Sequence, residues 1–157
     1  MTDIGALYQK YAAEVFRFAL YLSGDKSEAE DITSETFVRV WTSSTELEMK
    51  TVKGYLFAIA RNLFLQSLRK SSRNVSLSHE LPDLMPSPQL QTEQKVELRV
   101  ILAKLQKLPE IDRTALLLRA LEELPYEEIA RMLNISLASA KVKVHRARLS
   151  LASSRSS

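Results

Sequence analysis

Cysteine is absent from the 157 residues. Its absence excludes disulfides, thiolate metal sites and thiol nucleophiles, and it fits a reducing compartment. Glycine is almost missing too, with 3 residues. Hairpin turns and phosphate-cradling loops draw on glycine for conformations that other residues resist. So low a count argues against β architecture and nucleotide-binding loops, and for an all-α chain. The two histidines, His79 and His145, have no partner arrangement for metal binding or nucleophile activation. No catalytic site, metal or cofactor is expected. No apolar stretch approaches the ~20 residues that cross a bilayer. The N-terminal stretch MTDIGALYQKYAAEVF has an early acid and lacks a basic segment followed by an apolar run, so no secretory leader is expected. These absences lead us to expect a cytoplasmic protein that does not insert into membrane.

What is present is helical periodicity. Leu7, Tyr11, Val15, Phe18 and Leu22 recur at helical spacing, and Ser23-Gly24-Asp25 ends that run. A capping box at Ser27 and Glu30 predicts the next helix start, followed by a face of Ala29, Ile32, Thr36, Phe37 and Val40. Residues 43–50 read as a loop. Thr51 is the predicted cap of a third helix that buries Val52, Leu56, Ile59, Leu63 and Leu68. Residues 71–91 then hold three prolines among polar residues. A stretch of about 20 residues without periodicity is unusual inside one compact domain, so it is read as a flexible linker. The predicted organisation is an N-terminal helical domain over 1–70, the linker over 71–91, a second helical domain over 92–152 and a tail over 153–157. In the second domain Val96, Ile101, Leu105 and Leu108 mark a helix over about 92–107. Pro109 and Pro125 are expected at first helical positions. Asn134 suits a left-handed helix end and Ser136 caps the last helix, about 137–151.

The stretch PYEEIARMLNISLASAKVKVHRAR reads as helix, tight turn, helix. Leu137, Ala140, Val144, Ala147 and Leu151 lie within about a third of the last helix's circumference, so they are expected to face the core. Ser139, Val142, His145 and Arg146 point roughly away, flanked by Lys141 and Lys143. That is the build of a helix-turn-helix whose second helix enters a DNA major groove. Arginine suits a bidentate contact to guanine and lysines on the flanks suit phosphate, while Val142 and Ala138 suit thymine methyls. Arg146 is expected to point directly away from the apolar stripe. The plainer reading is an αα-hairpin with a solvated basic face.

The first half pairs opposite charges. Glu28 and Glu30 compensate the dipole at a helix start. Asp31, Glu35 and Arg39 recur every four residues on a polar face that suits docking. The third helix carries Lys53, Arg61, Arg69 and Lys70 with Tyr55, Phe57 and Phe64 among them. Cations beside rings suit single-stranded nucleic acid, although Phe64 is better read as core.

Together these segments resemble a bacterial extracytoplasmic-function (ECF) sigma factor. SEAEDITSETFVRVW is similar to the family's core-polymerase-binding helix, and VKGYLFAIARNLFLQSLRK to the segment that melts and reads the −10 element. LPEIDRTALLLRALEELPYEEIARMLNISLASAKVKVHRAR is similar to the region that reads the −35 element. Where the family commonly has Gly-Leu-Ser, this chain has Glu123-Leu124-Pro125, and its recognition helix starts Ala138-Ser139-Ala140-Lys141-Val142-Lys143. The resemblance implies a promoter-specificity subunit with two helical domains. Asp31, Glu35, Arg39 and Trp41 would dock on the clamp of the largest subunit of core RNA polymerase. Lys53, Tyr55, Arg61 and Asn62 would handle −10 DNA, with a base extruded from the stack. Ser139, Lys141, Val142, Lys143, His145 and Arg146 would read −35 DNA. It also implies an anti-sigma factor that holds the domains together. The alternatives are a free-standing helix-turn-helix regulator with an N-terminal dimerisation domain, or a helical adaptor; neither needs both the acidic and the basic aromatic helix.

Overall fold

The computed structural model describes residues 4–42, 51–73 and 93–153. Among these the chain is all-α, with seven helices and no strand. In α1 (Ile4–Ser23) the buried residues Val15, Phe18, Ala19 and Leu22 follow the helical repeat. Gly24 turns the chain sharply, at φ +72°, and its amide donates to the Leu20 carbonyl at 2.7 Å. The turn is so short that α2 (Lys26–Thr42) begins two residues later. Its first-turn amide at Glu28 is therefore satisfied by Asp25 Oδ1 at 3.1 Å, and the expected Ser27 cap falls inside the helix. Ala29, Ile32, Thr33, Thr36 and Phe37 are buried.

Thr51 caps α3 (Val52–Arg73) as expected, its hydroxyl accepting from the Gly54 amide at 2.9 Å. The fully buried residues of α3 fall within 54–64, among them Leu56, Phe57, Ile59, Leu63 and Phe64, with Leu65 packed partly buried beside them. Val52 and Leu68 lie outside that span and are 47% and 44% exposed, contrary to the expectation that they are core. Phe64 is core, as read. The helix runs into the expected linker as far as Arg73; the rest of that linker, the expected loop over 43–50 and the tail beyond Ser153 lie outside the described residues.

The second half is α4 (Glu93–Gln106), α5 (Glu110–Leu116), α6 (Tyr126–Leu133) and α7 (Leu137–Ser153). On α4 only Leu105 is buried, and Val96 and Ile101 are exposed. Five consecutive residues of α5, Asp112 to Leu116, are buried, so this helix is surrounded on every side. It widens into one π-helical turn, Leu117–Leu121, which delivers Glu122 into the interior. Glu123 follows in the left-handed region at φ 57°. Pro109 and Pro125 sit at the N-cap, one residue before their expected positions, with the extended ψ that a cap adopts. Asn134 is left-handed at φ 56° and the Ser136 hydroxyl accepts from the Ser139 amide at 3.0 Å, both as expected. Ala140, Val144 and Ala147 face the core, Leu151 is half-buried, and Leu137 is exposed, one turn short of the buried stripe.

The two halves pack on one another, and their buried apolar residues join in one cluster. The C-terminal carbonyls of α1 are capped by the second half. Leu22 O accepts from Arg113 NH1 at 2.6 Å and from Gln106 Nε2 at 3.2 Å. The same Arg113 donates to the Leu105 and Leu108 carbonyls, so one buried guanidinium closes the ends of two helices. Burial lowers the pKa of Arg113 from its ordinary value, with Glu110 opposing. A Cβ on Gly24 would meet the Gln106 side chain at 3.0 Å, so packing and φ both call for glycine there.

Candidate polymerase and nucleic-acid interfaces

Three surfaces carry the sequence-predicted residues. Asp31, Glu35 and Arg39 line up on the exposed face of α2, with Glu35 and Arg39 in a surface ion pair at 3.4 Å. They border a cleft of about 560 Å³ between α2 and α3, whose far wall includes Gln66 and Lys70. Trp41, at the end of the same helix, is 73% exposed.

The residues assigned to −10 DNA are brought together on α3, but two of them face the second half of the chain. Arg61 donates through Nε and NH2 to both Glu110 oxygens at 2.9 and 3.0 Å. Lys53 reaches the Glu122 carbonyl at 3.0 Å and Glu14 at 3.2 Å. Glu122, whose side chain is 0% exposed, also accepts from Arg17 at 2.9 and 3.3 Å. Burial raises its pKa above the ordinary carboxylate value, with Arg17 and then Lys53 opposing. Thr51 donates to Glu128 at 2.9 Å. Tyr55 is half-buried and Asn62 is exposed. Glu110 of α5 thus occupies Arg61, and Glu14 of α1 together with Glu122 after the π turn occupies Lys53, while Glu128 of α6 holds the Thr51 cap. Glu14, Arg17, Glu110, Glu122 and Glu128 were absent from the sequence reading. Each pairs with a residue remote in the chain, and no local pattern signals it.

The third surface is α7. Lys141, Val142, His145 and Arg146 are exposed, with Ser139 and Lys143 half-buried at the margins. Helix α6 crosses behind it, and the Tyr126 ring lies under two cations, Arg119 at 4.6 Å and Lys141 at 5.8 Å. Arg146 corrects an expectation. It does not point straight outward: Nε and NH2 each donate to Asp112 of α5 at 2.9 Å. The side chain is long enough to lean back from the exposed face onto the neighbouring helix. Hydrogen bonding to Asp112 raises the Arg146 pKa further. In sequence nothing distinguishes Asp112 from a helix-start acid.

A helix-turn-helix behind a helical unit that pairs an acidic face with a basic one defines a DNA-binding protein with a second docking partner. Family models agree with that division. One described as Sigma-70 region 2 matches residues 7–74, and one described as Sigma-70, region 4 matches residues 98–151. The chain is 37% identical over 150 residues to the ECF RNA polymerase sigma factor SigM of Bacillus subtilis (strain 168), covering 92% of this chain and 90% of that protein. It is 35% identical over 150 residues to the ECF RNA polymerase sigma factor SigE of Mycolicibacterium smegmatis, spanning 92% of this chain but 58% of that protein. Among solved structures, the sigma factor RpoE in complex with the anti-sigma factor NepR from Bartonella quintana matches with a TM-score of 0.77 at 25% identity, covering 96% of this chain and 95% of that one. The chain belongs to the ECF RNA polymerase sigma factor family.

Proposed function

We propose that this chain is a promoter-specificity subunit: it binds core RNA polymerase, selects promoters through their −10 and −35 elements, and supports melting and initiation. It brings no catalytic group of its own. The carrying observation is the coexistence, on one chain of which 92% is matched by SigM, of a basic helix-turn-helix and a paired acidic and basic surface on α2 and α3. In this reading Asp31, Glu35, Arg39 and Trp41 contact the clamp of the largest polymerase subunit. Lys53, Tyr55, Arg61 and Asn62 hold −10 DNA. Ser139, Lys141, Val142, Lys143, His145 and Arg146 read or grip −35 DNA.

Geometry adds a requirement. The two elements lie roughly 25 base pairs apart, or ~85 Å at 3.4 Å per pair. A chain in which Arg61 bonds to Glu110 at 2.9 Å cannot place α3 and α7 on both elements. The halves must separate. Occupation of Arg61 by Glu110 and of Lys53 by Glu122, both from the other half, makes the packed arrangement the inactive one. The matched Bartonella structure contains an anti-sigma factor, and a partner of that kind would act on this chain by favouring the packed arrangement. The test is co-elution of the full chain with core RNA polymerase. Stable co-elution, and binding of promoter duplex by the complex that the free chain does not match, supports the reading. A chain that ignores polymerase yet binds a palindromic duplex unaided overturns it.

A further inference from the structure

The Arg146–Asp112 pair is unlike a surface ion pair. The Asp112 side chain is 3% exposed, while that of Arg146 is 57% exposed. A buried carboxylate needs a full set of donors, and the Arg146 fork supplies two parallel N–H groups at 2.9 Å each. Those donations use one edge of the guanidinium, the Nε and NH2 edge. The adjoining edge, NH1 and the outer N–H of NH2, carries two more parallel donors that Asp112 does not use, on a side chain that is 57% exposed. Such an edge matches the O6 and N7 acceptors of guanine. A free arginine would lose side-chain freedom on binding a base, whereas one already held in plane loses little. The partner's charge also cancels that of the arginine. The pair therefore contributes direction more than attraction for phosphate.

We propose that Asp112 is a positioning residue for promoter reading: it holds the Arg146 guanidinium so that its free edge meets a guanine in the −35 element. The proposal rests on α7 being the −35 helix. It assigns a specificity role to a buried residue of α5 that touches no DNA itself.

The test uses holoenzymes assembled from core RNA polymerase and the full chain carrying Asp112→Asn, Arg146→Lys, Arg146→Ala or, for comparison, Lys141→Ala. Each is titrated against a duplex library randomised through the −35 element, at several salt concentrations. Asp112→Asn keeps the shape and one acceptor but turns an N–H group toward the fork. Preference is expected to fall about tenfold at one or two base pairs, and at the same ones for Asp112→Asn, Arg146→Lys and Arg146→Ala, with the rest of the profile retained. Asp112→Asn should also steepen the salt dependence by about one unit, because Arg146 becomes a free cation. A folded Asp112→Asn variant that leaves the profile unchanged, or weakens all sequences equally, makes the pair a mere brace between α5 and α7 and overturns the proposal. Should Asp112→Asn fail to fold, Arg146→Lys decides: lysine still pairs with Asp112 but has no second edge, so a retained profile overturns the proposal. Failure of the underlying reading looks different, since wild type would then show no −35 preference and Lys141→Ala would change nothing.

Discussion

Removing the Glu110 carboxylate tests whether the two halves hold each other closed. In the packed chain Glu110 receives two N–H groups from Arg61 and the Thr114 hydroxyl at 2.6 Å. The Arg61 and Glu110 side chains are 13% and 22% exposed, so solvent screens the pair only partly. A hydrogen bond between charged groups contributes about 1.5–3 kcal/mol, and desolvation of both partners offsets part of the two made here. A net loss of about 2 kcal/mol is a fair value for Glu110→Ala, which corresponds to a shift of roughly 30-fold in the closed-to-open ratio. The variant also removes a favourable charge at the start of α5, about 0.3–1 kcal/mol, but that term acts within the second half and does not bear on closure. The chain has no native cysteine, so labels can be placed at Ser34→Cys and Ser150→Cys, both exposed positions. Single-molecule energy transfer should show a compact population in wild type. Glu110→Ala should move molecules to an extended population, the more so as salt weakens Arg17–Glu122 and Lys53–Glu122. A wild-type chain already extended, or a variant indistinguishable from wild type at every salt concentration, would refute the reasoning.

Three further outcomes follow from particular residues. Asp31→Lys with Glu35→Lys should abolish co-elution with core polymerase while shifting stability by less than ~1 kcal/mol, since both side chains are exposed; unchanged affinity would remove the docking assignment. Glu123→Gly should stabilise the chain by about 0.5–1 kcal/mol in urea denaturation, because Glu123 holds φ 57° with a side chain that resists it; a lower midpoint would mean that no strain is stored there. Burial raises the Glu122 carboxyl, so its contribution to stability is fully present below its unfolded value and is lost as pH rises through the folded one. Wild type should therefore gain on Glu122→Gln in melting temperature as pH falls from neutral toward 5, and parallel pH profiles would contradict this.

Much of the fold was legible because it is local. The spacing of Val15, Phe18 and Leu22, the caps at Thr51 and Ser136 and the left-handed Asn134 all follow from short-range rules. The errors also have local causes. Asp25 precedes Ser27 as an equally good cap, and the tight Gly24 turn decides between them. Val52 and Leu68 have the right phase but lie beyond the length over which α3 is covered. What periodicity could not reveal is tertiary. Arg61 finds Glu110 across 49 residues, Arg17 finds Glu122 across 105, and Arg146 finds Asp112 across 34. Arg61 and Arg146 read as free cationic surface, and Arg17 carried no signal at all, because burial of each partner is a property of the packed chain alone. The π-helical turn that carries Glu122 inward has no compositional mark in Leu117–Leu121.

The central claim is that this chain confers promoter choice on RNA polymerase. It is tested most directly by run-off transcription on fragmented genomic DNA from the source bacterium, with core polymerase alone and with the chain added. Transcripts that appear only with the chain, from start sites sharing one −35 and one −10 sequence, are the predicted result. Bound DNA without transcripts, or start sites identical to those of core polymerase alone, would contradict it.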